Sequence, residues 1–205
     1  MILLPPVNPA GIYGYAAGLT TFCLGENNTF GTCAFAGIGN GHAVVTNVCS
    51  PPVQIMSDGE IERMDNAVTG FIPTDRLSDH GAALITVLNY WRDHGWAGDP
   101  TMVPLDRQEI TVNQISAAVD AMGWAYCGFQ LPKIDGEFDL SDKSVRDGVP
   151  GKDAHCMTVI GASPGFFEVA TWGERRTVTD TWMRTYFRCG YAILHPLWRR
   201  PVVGN

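Results

Sequence analysis

A chain of 205 residues with 45% apolar content can bury a sizeable hydrophobic core, so a folded globular protein is expected. Only 17% of the residues are charged and the formal net charge is −7, so the basic footprint of a phosphate-binding surface is missing and nucleic acid is excluded as a partner. No segment approaches the roughly 20 uninterrupted apolar residues of a membrane span. The apolar start breaks at Pro5-Pro6 before a signal core can form, which predicts a soluble, cytoplasmic protein.

Taken in chain order, residues 1–24 are rich in Pro and Gly and read as an extended arm. A first helix is expected over 33–48, where Gly37, Gly39 and Gly41 each cost about 1 kcal/mol relative to Ala unless the helix packs closely on something. A firmer helix is expected over 79–94: Leu84, Val87, Leu88 and Trp91 fall at i, i+3, i+4 and i+7, and Gly95 stops it. Asp79-His80 at its start reads as charge compensation for the helix dipole. Thr111-x-x-Gln114 has capping-box form and opens a helix ending at Gly123, followed by a strand over 124–131.

The polar stretch 132–153, with Asp135-Gly136, Asp147-Gly148 and Pro150-Gly151 as turn signals, reads as a surface loop. Strands are expected over 155–161, 166–172 and 191–195, with a short helix opening near Thr179. The resulting fold class is α+β: one domain with a mainly helical lobe over 25–131, a sheet lobe over 154–196 and a tail over 197–205.

Cysteine chemistry needs a thiolate, and a helix N-terminus beside an imidazole is the usual way to favour one. Of the cysteines at 23, 33, 49, 127, 156 and 189, Cys33 stands at the start of the first helix, after the turn that contains Asn27. The others read as buried thiols, and no CxxC pair points to a zinc ribbon or a thioredoxin site. His155 opens a strand beside the 132–153 stretch and is the expected base. His42, nine residues along the helix, points about half a turn away from the sulfur and reads as a packing histidine. A metal site from His155, Cys156 and Cys127 is disfavoured because neighbouring strand residues face opposite ways. No cofactor is expected.

These pieces resemble the papain-like cysteine peptidases: Gly31-Thr32-Cys33, then a strand opening at His155, then Val169-Ala-Thr-Trp172-Gly173. The resemblance implies Cys33 as nucleophile, His155 as base, Asn27 at the position of the oxyanion-hole Gln and Trp172 in a supporting role. The family's orienting Asn falls at Ala170, which leaves a Cys-His dyad with Thr171 or Glu168 as the orienting group. The chain also resembles papain-fold proteins of phages and prophages, through Asn89-Tyr-Trp-Arg92 and Ala170-Thr-Trp-Gly173.

Two functions follow from the resemblance. One is a phage-type cysteine hydrolase acting on a peptide or protein substrate. The other is an inert papain-fold component of a virion, docking on other phage structural proteins through the N-terminal arm and the C-terminal tail.

Overall fold

The computed structural model describes residues 15–26, 28–49, 53–95, 103–104, 106–135 and 137–199. Helix α1 (Cys33–Cys49) is buried without interruption from Ala34 to Thr46, so it lies inside the molecule and needs no polar face. Its glycines allow close contacts. A Cβ on Gly37 would stand 2.6 Å from Cys156 Sγ, and one on Gly41 2.3 Å from the Trp124 ring. Close packing therefore offsets the helix cost of these residues. Helix α2 (Asp58–Thr69), absent from the sequence reading, carries a complete capping box between Ser57 and Glu60 and ends at Gly70 in the left-handed conformation.

Helix α3 (Leu84–His94) starts five residues later than expected, because Gly81 takes φ +60 and residues up to Ala83 stay extended. Its stripe is in the core: Val87, Leu88 and Trp91 are fully buried, and Gly95 closes the helix on Trp91 O at 2.9 Å. Replacing Leu88 by Ala should therefore cost about 2–5 kcal/mol, read as a lower urea midpoint. An unchanged midpoint would put the residue outside the core. The Thr111 capping box drives a 3-10 turn, Val112–Gln114, that runs into helix α4 (Ile115–Met122).

The sheet contains β1 (Asp106–Glu109), β2 (Ala125–Ile134), β3 (Glu137–Phe138), β4 (Val149–Ser163), β5 (Phe166–Thr171), β6 (Glu174–Thr179) and β7 (Phe187–Leu194). Its order is β1-β7-β2-β4-β5-β6, with β3 paired to β2, and every pairing is antiparallel. Both faces of the central strands are covered. Tyr126, Cys156 and Ile160 join the cores shared with α1, while Phe129, Met157 and Val159 pack on α4 and on Trp182 and Met183 of helix α6 (Asp180–Tyr186). Burial on two faces explains why β2 reads as a continuous apolar run instead of an alternation.

Two boundaries change. The stretch 132–153 is not a loop: it holds the end of β2, all of β3, helix α5 (Asp142–Asp147) and the start of β4. The strand expected over 124–131 in the mainly helical lobe is part of β2, which lies between β7 and β4 in the sheet. Asp135 and Asp147-Gly148 fall where elements end, but Pro150-Gly151 lies inside β4, since long strands that run past a bulge carry no sequence period of their own. Residues 15–24 are not a free arm, since Ala16, Leu19, Phe22 and Cys23 are buried. Residues 1–14 and 200–205 lie outside the described residues.

Candidate active site

Cys33 is the first residue of α1, and Thr32 before it accepts the Phe35 and Ala36 amides that begin the helix. Thr32 is fully buried, and its hydroxyl donates to Gly25 O, closing the turn that leads into the helix. The backbone N–H groups of Cys156, Ala34 and Cys33 itself favour the Cys33 thiolate. Because β5 begins its pairing with β4 only at Thr158, the edge of β4 is open at Cys156, and α1 places the sulfur there. The thiol is thereby brought against the residue next to His155.

His155 and Cys156 project to opposite faces, as alternation along a strand requires. Cys156 Sγ packs against Gly37 of α1. The His155 ring lies on Trp172 with centroids 4.9 Å apart and planes 23° from parallel, and its Nε2 is 2.7 Å from Thr171 Oγ1. Trp172 takes φ +49 and Gly173 φ +75, the left-handed pair that a two-residue hairpin between β5 and β6 demands, with Thr171 and Glu174 paired across it. A large side chain rarely holds that conformation, and here it sets the indole under the imidazole.

Thr171 is the hydroxyl that meets the His155 ring, one residue past Ala170. Ala170 itself is buried on the opposite face with Val44 and Ile160. Glu168 shares that opposite face by strand alternation and pairs with Arg175 at 3.1 Å; Arg175 also donates to Ala16 O and Leu19 O. Asn27 lies outside the described residues.

Burial governs the charges. It pushes the Cys33 thiol up, with the three N–H groups opposing and a smaller upward push from Asp65. It pushes His155 down to about 4. At neutral pH burial therefore favours the thiol at Cys33 and the neutral imidazole at His155. At Cys33 desolvation outweighs the helix terminus and its N–H groups, which favour the thiolate.

His42 points away from Cys33, as expected, but into a hydrogen-bonded chain with His195, which sequence reasoning passed over. Leu197 N donates to His195 Nδ1 at 3.2 Å, His195 Nε2 stands 3.0 Å from His42 Nδ1, and His42 Nε2 stands 2.9 Å from Gln54 Oε1. Since Leu197 can only donate, each ring carries its proton on Nε2 and the pair is neutral. Burial drives both histidines down, His195 well below its ordinary range. No sequence signal joins residues 153 positions apart.

Beyond Trp172 the aromatic surface continues. Phe138 stacks on Trp172 with centroids 6.0 Å apart, and an open cavity of about 350 Å³ is lined by Phe138, Asp139, Leu140, Trp172 and Arg176. Among the described residues, no helix is long and apolar enough to cross a membrane.

The fold is α+β and papain-like: a helix that begins at a cysteine, packed on an antiparallel sheet that carries a histidine. It is similar to the crystal structure of xylellain, a cysteine protease from Xylella fastidiosa, with a TM-score of 0.62 over 93% of this chain and 86% of that one, at 10% sequence identity. The sequence matches no protein-family model and no curated protein.

Proposed function

We propose that this chain is a papain-like cysteine hydrolase that cleaves a peptide or amide bond with a Cys33-His155 dyad. The observations that carry the proposal are the Cys33 sulfur at the N-terminus of α1, its thiolate favoured by the Cys156 amide, and the preceding residue His155, bonded to Thr171 and backed by Trp172. With Nε2–H donating to Thr171, Nδ1 is the basic nitrogen. It takes the thiol proton as sulfur attacks the carbonyl carbon, and the oxyanion is held by the Cys33 N–H and the Asn27 carboxamide. The imidazolium then protonates the leaving amine, and water activated by the neutral ring hydrolyses the thioester. Thr171 fills the role of the orienting Asn.

A second reading, an inert papain-fold component of a phage particle, draws on the desolvation of the half-buried Cys33 and His155 and on Ala170 at the orienting position. Turnover of a quenched peptide library separates the two. Cys33→Ala should abolish it, and Thr171→Val should lower kcat by about tenfold, part of the roughly 10²–10⁴ that a positioned base contributes. No turnover in the wild type, or full turnover in Cys33→Ala, would favour the inert reading.

A further inference from the structure

The loop that delivers Cys33 is held by carboxylates from two other elements. At its far end, Gly25 N donates to Asp58 Oδ1 at 2.8 Å, from the first turn of α2. At its near end, two residues before Cys33, Gly31 N donates to both oxygens of Asp79, at 2.9 and 3.1 Å. Each is a charge-assisted bond of the stronger class. Residues 79–81 press so closely on the loop that a Cβ at Gly31 would stand 2.6 Å from Asp79 Oδ1 and 3.1 Å from Gly81 Cα.

Between the two clamps, Phe30 packs edge-on against the buried Phe71 at 5.1 Å, and the Thr32 hydroxyl ties the loop back to Gly25 O. The backbone inside the loop turns through the left-handed region at Gly25, φ 58, which glycine adopts freely, and at Glu26, φ 50, where a side chain rarely sits. Asp79 is therefore not a dipole partner for α3, which begins five residues later. Its carboxylate belongs to the Cys33 turn.

We infer that Asp79, with Asp58 as the second anchor, is a positioning residue for the nucleophile turn, rigidly aiming the Cys33 sulfur and N–H at the substrate carbonyl. This rests on the hydrolase reading above. Oxyanion donors act in the transition state more than in the ground state, so a loosened turn is felt in kcat and little in KM. A misplacement of about 1 Å costs on the order of 10²-fold in rate.

The test uses the full chain with Asp79→Ala and the conservative Asp79→Asn, which keeps the shape and one acceptor oxygen should the alanine variant fail to fold. Two quantities are read: kcat and KM on a cleaved peptide, and deuterium uptake of residues 25–36 by mass spectrometry. Expected for Asp79→Ala is a kcat about 10- to 100-fold lower, KM within about twofold, and faster exchange confined to the loop. Asp79→Asn should fall between it and the wild type. Unchanged kcat with a loosened loop, or equal loss in kcat and overall protection, overturns the inference. Absence of Cys33-dependent turnover in the wild type overturns the hydrolase reading instead. Exchange then decides the clamp alone, with unaltered protection of the loop in Asp79→Ala refuting it.

Discussion

Acidification below about pH 6.5 will destabilise this protein steeply. His155, His195 and His42 all have folded-state values below the ordinary imidazole range, chiefly through burial. In the unfolded chain each takes a proton near pH 6.5, while the folded state refuses it, so the unfolded state binds more protons and stability falls as pH falls. Above that window both states are neutral and the histidines contribute no pH dependence.

The slope is about 1.4 kcal/mol per pH unit for each histidine. His155, pushed to about 4, gives a loss of roughly 2–3 kcal/mol by pH 4.5, and His195 and His42 act in the same direction. The His42-His195 pair has a structural reason to refuse. Its chain from Leu197 to Gln54 already assigns every ring nitrogen, so an added proton must break a bond in a dry site. Asp65 and Glu168, both raised by burial, act the other way, because the folded state takes their protons first. Their effect grows only near the carboxylate range. Urea unfolding between pH 8 and 4.5 checks the expectation; a midpoint constant from 7 to 5 would contradict it.

The second large effect is at Gly41. Alanine there would gain about 1 kcal/mol of helix propensity, yet its methyl would stand 2.3–2.5 Å from three atoms of the Trp124 ring. That ring is fully buried and flat, so neither partner can give way without shifting α1 off the sheet. Overpacking of this kind costs typically 1–3 kcal/mol or more, and a net loss of about 2 kcal/mol is expected for Gly41→Ala. Gly59 provides the contrast. It lies exposed on α2 with nothing within 4 Å of its Cβ position, so Gly59→Ala should stabilise by about 0.5–1 kcal/mol. Thermal melts of the two variants should therefore move in opposite directions, and equal shifts would show that the α1-sheet contact is looser than described.

Local signals were legible in the chain wherever the physics is local. The stripe Val87-Leu88-Trp91 and its Gly95 stop, the Thr111-Gln114 box and the Thr179 cap each act within one or two helical turns. The order Cys33, His155, Thr171-Trp172-Gly173 was also legible as a candidate set, of which the structure brings His155, Thr171 and Trp172 into contact. A closer reading had the means to find α2 too, since Ser57-x-x-Glu60 and Gly70 mark both its ends.

What residues far apart do to one another was decided only by the tertiary structure. That Thr171 and not Glu168 meets His155 depends on strand alternation and on Arg175 drawing the carboxylate to the other face. That Asp79 grips Gly31, 48 residues away, and that His42 pairs with His195 depend on which elements the sheet order brings together. The charge states of Cys33 and of His155 belong to the same class. A cysteine at a helix start promises a low pKa, but burial is a property of the assembled core, and at Cys33 and His155 it outweighs the local term.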